Sequence, residues 1–334
     1  MANKPKVLVL FDVGEPTSLD DDYTEDLRSP DWKTERHVLH ALKMLGHPVA
    51  VLGVHNDTGL IREMIARFQP DIIFNMIEEF ANSLDNESRI TSFLELQGIP
   101  LTGCGSAGIS LSKDKPIAKK ILSYHGIRVP RFVVQPPGRL IKMPRDLEYP
   151  LIVKPAHEEA SQGISLRSVV KNPTELINRI CHVHERFQQD AIVEEFVEGR
   201  ELYASLLGNK KISCFPAREM TWRKDVPAQA RFAGYKVKWD NQYRRRWGIR
   251  NRHLPDSENS LQRKIDSTCK EIYRRLNLKG YARLDLRATP SGDLVFLEAN
   301  PNPMLAKDED FALSAKKSGL DYPKLIGKII SLAS

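Results

Sequence analysis

The segment from residue 281 to residue 300 carries side chains whose spacing could do chemistry. It alternates polar and apolar residues on either side of a Pro-Ser-Gly-Asp turn at residues 290–293, which predicts a β-hairpin. A two-residue loop at residues 291–292 would place Asp285 directly opposite Glu298. Two facing carboxylates destabilise a hairpin, and a cation between them removes that cost.

The same pairing places Arg283 opposite Asn300 on the face that carries the carboxylates, and Leu286 opposite Leu297 on the other face. Carboxylate and amide oxygens with no nitrogen or sulfur ligand favour Mg²⁺ or Mn²⁺. The alternative is a solvent-facing acid pair that Arg283 or Arg287 neutralises.

A lysine stands at the end of an apolar strand, and a polar loop follows it. The strand, residues 149–153, leads into Lys154, and the loop covers residues 156–163. Such a loop could lie over an anion, although a lone lysine at a strand end is more often a surface charge.

Residues 190–201 predict a strand that runs into a turn at Gly199. Glu194 and Glu201 bracket the apolar pair at residues 196–197. Backbone groups, a carboxylate and apolar side chains together suit an adenosine site, although this segment alone is weak support for one.

The net charge of +7 comes from one segment. Residues 223–253 contain ten Lys and Arg residues and two acids, so the rest of the chain is close to neutral. This segment could bind nucleic acid or a small anion, or form a solvated loop. Residues 15–26 form a smaller, acidic pole that could attract a cationic group or lie idle in solvent.

Residues 103–108 match the G-x-G-x-x-G pattern of dinucleotide-binding folds. That pattern belongs after the first strand of its unit, with an acid about 20 residues further on. Here it follows the fourth predicted strand, and the later acid is missing. A tight turn is the better interpretation.

The elements that must position these residues follow two patterns. Residues 1–108 alternate strands and helices, which predicts a doubly wound parallel sheet. The predicted strands cover 6–11, 49–54 and 71–75 with a fourth near Leu101, and the predicted helices cover 32–46, 58–68 and 88–97.

The rest of the chain predicts an α+β arrangement with antiparallel hairpins. The predicted strands cover 131–135, 150–154, 164–169, 191–196, 201–207 and 211–214, ahead of the hairpin at 281–299. The predicted helices cover 114–126, 173–187, 258–276 and 322–332.

Composition excludes several classes of protein. The chain has 334 residues, of which 41% are hydrophobic, and no apolar run long enough to span a membrane. Its four cysteines are far apart, so a disulfide framework or a cysteine-based zinc site is not expected. With no recognisable secretion signal, we expect a cytoplasmic protein.

Taken together and in order, these segments resemble the ATP-grasp superfamily, and within it the D-alanine–D-alanine ligase family. The likeness spans nearly the whole chain. It rests on residues 75–80, 98–103, 114–115, 152–155, 193–201 and 297–300.

The resemblance implies an ATP-grasp fold with three domains, at residues 1–108, 109–200 and 201–334. The first would be a Rossmann-like pre-ATP-grasp domain and the last would carry the metal site. The ATP-binding residues that it implies are Lys119, Lys154, Ser161, Glu194, Glu195, Val197 and Glu201. The metal ligands that it implies, for two Mg²⁺ ions, are Asp285, Glu298 and Asn300.

The implied catalytic residues are Arg283, a lid lysine that is either Lys238 or Lys236, and Glu15. The implied activity is ATP-dependent carboxylate–amine ligation through an acyl phosphate, on small-molecule substrates and without nucleic acid or membrane. The basic segment would then be a lid that faces phosphate. A homodimer is also implied.

Several departures from the family pattern leave the substrate open. No glycine follows Asn300 closely, Trp239 replaces a tyrosine beside the lid lysine, and residues 159–160 are Glu-Ala where Gly-Ser is usual. The segment after Gly14 also lacks the usual glycine-rich loop. The substrate is therefore D-alanine, another amino acid or a small carboxylate. A regulatory ATP-binding protein without ligase activity is the alternative from a different class.

Overall fold

The computed structural model describes residues 4–158 and 161–333. These residues form three β-sheets with helices packed against them. The departure noted at residues 159–160 lies outside the described residues. In the described part of the chain, no helix is both long and apolar enough to cross a bilayer.

The N-terminal sheet is parallel, as the alternating pattern predicts, and its strand order is β2-β1-β3. Its strands are β1 (Val7–Asp12), β2 (Val49–Val54) and β3 (Ile72–Met76), and its helices are α1 (Lys33–Met44), α2 (Thr58–Phe68) and α3 (Glu87–Glu95). The predicted fourth strand is wrong. Leu101 makes only a single parallel bridge to Ile73, because the chain turns at Gly103, where φ is +88°.

Two helices follow where the sequence predicts one. They are α4 (Ser106–Lys113) and α5 (Lys115–Tyr124), and Pro116 in the first turn of α5 separates them. The glycines of residues 103–108 serve packing. A Cβ at Gly108 would lie 2.7 Å from the Asn277 carbonyl oxygen, and one at Gly103 would lie 2.4 Å from Asn302 Oδ1.

The central sheet is antiparallel, with strand order β4-β7-β5-β6, and one helix packs on it. Its elements are β4 (Phe132–Gln135), β5 (Leu151–Pro155), β6 (Val169–Val170), α6 (Pro173–Phe187) and β7 (Ala191–Glu195). The strand predicted over residues 164–169 is wrong, because the Ile164 amide donates to the Ser161 carbonyl and closes a turn there.

The C-terminal sheet has six strands, with β11-β10-β8-β12-β13 in order and β9 paired to β8. The strands are β8 (Arg200–Gly208), β9 (Ile212–Cys214), β10 (Arg218–Thr221), β11 (Arg250–His253), β12 (Tyr281–Ala288) and β13 (Leu294–Pro301). The helices are α7 (Tyr235–Trp239), α8 (Asn241–Trp247), α9 (Asn259–Arg275), α10 (Asp310–Lys317) and α11 (Tyr322–Ser331). The sequence pattern misses β10, β11, α7, α8 and α10.

The β12–β13 hairpin confirms the predicted pairing of Asp285 with Glu298. The predicted pairing of Leu286 with Leu297 is wrong, because Leu286 pairs with Phe296. A bulge after Asp285 leaves Leu297 as an extra residue, and this shifts the register by one between the turn and the carboxylates.

The N-terminal sheet and the hairpin are joined through backbone contact. Gly280, at φ +61°, lies so close to Gly103 that a Cβ would stand 2.5 Å from the Gly103 carbonyl oxygen. Beside this contact, Asn302 Oδ1 accepts a 2.6 Å hydrogen bond from the Cys104 amide.

The division into three domains stays a prediction.

The substitution Gly280→Ala should therefore destabilise the protein by about 2–4 kcal/mol, from positive-φ strain together with a backbone collision. Gly319→Ala is the matched control, since Gly319 also has positive φ (+88°) but no atom within 4 Å of a Cβ. We expect that control to lose only about 1 kcal/mol. Urea unfolding of both variants measures the difference, and equal losses would contradict the proposed contact.

Candidate active site

The two facing carboxylates of the hairpin differ in burial and in their partners: Asp285 is buried, whereas the Glu298 side chain is 25% exposed. Asp285 is 2% exposed, and the Arg283 guanidinium donates to both of its oxygens, at 2.8 and 3.0 Å. Burial raises the pKa of the Asp285 carboxyl to about 7; Arg283 opposes that rise and Glu298 adds to it. The Arg283 guanidinium also lies over the ring of Tyr203, 5.1 Å from its centroid.

Glu298 lies instead among ammonium groups. Loss of solvent alone would raise the pKa of its carboxyl, but the positive charges of Lys238, Lys115, Lys154 and Arg283 together hold that pKa well below its usual value. The Lys238 ammonium is 3.6 Å from Glu298 Oε1. Lys236, on the same short helix, is exposed. The structure thus brings Lys238 to the site and leaves Lys236 outside it.

Behind the hairpin, one glutamate lies between two lysines. Glu194 Oε1 is 3.3 Å from the Lys119 ammonium and Oε2 is 2.8 Å from that of Lys154. Burial opposes ionisation of Glu194, but the combined effect of the two ammonium groups is larger, so the pKa of Glu194 is lowered. Lys119 is fully buried, and burial lowers the pKa of its ammonium to about 8.

Lys119 also connects this cluster to the hairpin. Its ammonium donates a 2.6 Å hydrogen bond to the carbonyl of Leu297, the bulged residue next to Glu298. It lies 5.4 Å from the centroid of the Phe296 ring. One buried lysine therefore contacts both the bulge and the glutamate of the central sheet.

A narrow cleft of about 50 Å³ runs between the central sheet and the hairpin. Predicted site residues that line it are Lys154, Ser161, Glu194, Glu195, Val197, Glu201, Asp285 and Glu298. Its apolar wall includes Ile152, Phe196 and Phe232. At its end, Glu201 accepts hydrogen bonds from Arg287 at 3.0 Å and from the Tyr203 hydroxyl at 3.1 Å.

The donor set of the hairpin fits a hard divalent cation. Asp285, Glu298 and Asn300 supply oxygen ligands at adjacent pair positions. No group of three or more His, Cys, Asp or Glu side chains with metal-site geometry occurs among the described residues. An ion here would therefore need oxygens from a substrate, which is how Mg²⁺ is usually bound beside phosphates.

A second cavity, of about 390 Å³, lies at the carboxyl ends of β1 and β3. Its wall includes Tyr281 and Asn302 from the hairpin and Trp239 from the lid. Since Tyr281, Arg283 and Asp285 alternate along β12, the cavity wall formed by Tyr281 lies on the same face of this strand as Asp285.

Four carboxylates line this second cavity: those of Asp12, Asp31, Glu35 and Glu78. Burial raises the pKa of both Asp12 and Glu35, and the Asp12 charge adds to the rise at Glu35. Glu35 Oε2 is buried and has no hydrogen-bond partner among the described residues.

The sequence interpretation misses all four of these acids and names Glu15 instead. Glu15 is exposed and lines neither cavity. Asp12 could have been found, because it ends a strand at the edge where ligands of parallel sheets bind. Glu35 lies on a helix, and its position in the sequence gives no indication that it lines a cavity.

The family model described as "D-ala D-ala ligase C-terminus" matches residues 120–331 of this chain. An Aquifex aeolicus D-alanine–D-alanine ligase is 28% identical over 302 residues, which cover 90% of this chain and 94% of the relative. The uncharacterised protein y4sG of Sinorhizobium fredii is also 28% identical, over 311 residues that cover 91% of this chain and 88% of that protein.

The solved structure of a Bacillus anthracis D-alanine–D-alanine ligase complexed with ATP has the same fold. It is 19% identical, with a TM-score of 0.72 over 98% of this chain and 97% of its own. The fold is therefore that of the ATP-grasp enzymes. With the family model matched over most of its length, the chain belongs to the D-alanine–D-alanine ligase family.

The buried Lys119 predicts a pH dependence of stability. Its pKa in the folded protein, about 8, lies below the ordinary value of 10.5, so the unfolded chain binds more protons between these values. Relative to Lys119→Met, the free energy of unfolding of the wild type should rise by about 2–3 kcal/mol from pH 7 to pH 10.

Urea unfolding across that pH range measures this difference. Lys120→Met, at the exposed neighbouring lysine, controls for the loss of a lysine from α5. A difference that stays constant with pH would contradict the lowered pKa of Lys119.

Proposed function

We propose that this protein joins a carboxylate to an amine at the expense of ATP, through an acyl phosphate. The observation that carries the proposal is the Asp285–Glu298 pair beside the Lys119–Glu194–Lys154 cluster. Oxygens suited to a metal ion and ammonium groups suited to phosphate would then lie on either side of one cleft, which supports the proposal. Relatives named D-alanine–D-alanine ligase support the same reaction class.

The cleft is suited to ATP. Phe196 and Phe232 offer apolar surface to the base, Glu201 offers a carboxylate to the ribose hydroxyls, and Lys154 offers its ammonium to the phosphates. The cleft is bounded by the central sheet on one side and by the hairpin on the other, so a nucleotide in it would contact both.

Asp285, Glu298 and Asn300 would hold two Mg²⁺ ions, with Mn²⁺ as the alternative. When bound, these ions offset the negative charge on the phosphate oxygens. Lys238, held near Glu298, would add positive charge from the lid side, and Lys119 would do so from behind the cleft.

The substrate carboxylate would approach between the two cavities, next to Arg283. Transfer of the γ-phosphoryl group to it gives an acyl phosphate and ADP. The amine then attacks the acyl carbon and phosphate leaves. Arg283, fixed by both oxygens of Asp285 and by the Tyr203 ring, would stabilise the oxyanion that forms in between.

The second cavity would hold the amino-bearing substrate. Its lining has four carboxylates and, among the described residues, no Lys, Arg or His. This favours a substrate that presents an ammonium group to Asp12 and Glu35. D-alanine meets that requirement, and so does any other amino acid that fits. Pairing of two subunits stays a prediction.

Phosphate release from ATP and Mg²⁺, with D- and L-amino acids supplied singly and in pairs, tests the proposal. Release with D-alanine alone would make it the substrate, and release with another pair would name a different ligase. If ATP binds but no amino acid triggers release, a regulatory ATP-binding protein becomes the better interpretation.

Asp285→Asn and Glu298→Gln should each lower kcat by at least about 100-fold, since each removes a carboxylate that would hold the cation offsetting the negative charge of the transferring phosphoryl group. Asp293→Asn, in the turn of the same hairpin, is the control, because its exposed pair with Arg128 contributes little. Steady-state phosphate release gives the values. Normal turnover in both active-site variants would exclude the metal site.

Glu35→Gln should raise KM for the amino substrate by about tenfold, the effect of losing roughly 1.4 kcal/mol of charge-assisted binding, with KM for ATP unchanged. Glu15→Gln, at the exposed acid outside the cavity, should leave both constants unchanged. The opposite result would return the substrate site to Glu15.

A further inference from the structure

Part of the loop after β5 is bonded to the lid. Within residues 161–164, here named the cover segment, the Ser161 hydroxyl donates a 2.7 Å hydrogen bond to the Ala233 carbonyl. In return, the Ile164 carbonyl accepts a 2.9 Å hydrogen bond from the Tyr235 amide. Ile164 also packs in one apolar cluster with Phe232. The cover segment therefore continues the lid surface over the cleft.

On its other side, the cover segment is held by a buried arginine of α6. Arg179 is only 8% exposed, and its Nη2 donates to the Gly163 carbonyl. The Ser168 hydroxyl donates to the same oxygen at 3.4 Å. A Cβ at Gly163 would lie 2.7 Å from Pro155 Cγ and 2.8 Å from Phe187 Cζ, so the backbone has little room to shift.

The Arg179 guanidinium is buried without an ion-pair partner in the described part of the chain. Among the described residues, no carboxylate forms an ion pair with it, and its Nε is buried without a hydrogen-bond partner. Burial lowers its pKa, and the charge of Arg167 adds to that effect. A buried unpaired cation is costly, and an apolar side chain of similar length would avoid the cost. Arg179 therefore does something that packing alone does not require.

We propose that Arg179 is a positioning residue for the triphosphate of ATP. Its hydrogen bond to Gly163 holds the cover segment where the lid and the cleft meet. This inference rests on the proposed function, because it takes the cleft to be the ATP site. The residues suited to the base and the ribose, Phe196 and Glu201, line the cleft and come from other segments of the chain, whereas Arg179 does not line the cleft.

Equilibrium binding of ATP with magnesium chloride, compared with binding of adenosine, tests the inference without relying on turnover. In Arg179→Met, the Kd for ATP should rise about tenfold, as expected for the loss of one hydrogen bond from a charged donor, while the Kd for adenosine stays the same. An equal rise for both ligands would mean a purely structural role, and no rise for either would also overturn the proposal.

Arg167→Met is the matched control, because it removes an exposed arginine charge close by in the chain. It should leave the Kd for ATP unchanged; a tenfold rise there would assign the effect to long-range charge rather than to the Gly163 contact. Arg179→Lys keeps a charged donor and should raise the Kd for ATP by no more than about threefold. If Arg179→Met does not fold, the Kd values of Arg179→Lys are compared with those of the wild type instead.

Measurements on the wild type distinguish failure of the proposed function from failure of the proposed role of Arg179. If it binds no ATP, the proposed function fails. If it binds ATP and releases phosphate while Arg179→Met binds ATP equally well, only the role of Arg179 fails.

Discussion

Two carboxylates that face each other across one hairpin, one buried and one partly buried, set the electrostatic problem that the rest of the site answers. Asp285 and Glu298 could not both be ionised there without nearby positive charge. The protein supplies that charge unequally. Arg283 binds both oxygens of Asp285, whereas Lys238 approaches Glu298 at 3.6 Å and leaves it open to other ligands. This asymmetry separates a fixed carboxylate from an accessible one.

The same balance extends into the central sheet through Glu194. Without that glutamate, Lys119 and Lys154 would repel each other in a buried space. With it, two ammonium groups stay close enough to act on one anion. Lys119 also donates a hydrogen bond to the Leu297 carbonyl. This bond fixes the position of the positive cluster at the central sheet relative to the carboxylates of the C-terminal sheet.

Much of this site could be predicted from sequence because it lies on regular elements. Strand alternation places Arg283 and Asp285 on one face of β12, and Glu298 and Asn300 on one face of β13, whatever the details of the turn. Whether these two faces coincide depends on the register of the hairpin. The bulge at Leu297 could not be predicted, since nothing in the local residue types marks it. The predicted pairing of the carboxylates is confirmed, yet the two-residue loop used to derive it fails to give the pairs nearer the turn.

The lid and the second cavity were harder to predict for different physical reasons. The lid segment, which contains β11, α7 and α8, is rich in arginine and has little apolar periodicity, and β10 just before it is only four residues long. The sequence therefore gives little indication of these strands and helices. The acids of the second cavity come from β1, α1 and segments outside the regular elements, and only tertiary packing brings them together. The family resemblance pointed to Glu15, which the fold leaves exposed.

The contact of Gly280 with Gly103 has a mechanical consequence. Two backbones that touch with no side chain between them leave almost no slack, and the bond from Cys104 to Asn302 locks the same junction. The acidic cavity, whose wall includes Tyr281 and Asn302 beside this junction, is therefore built on a stiff joint between the N-terminal part of the chain and the β12–β13 hairpin. In the proposed reaction, the amino substrate would meet a preformed seat.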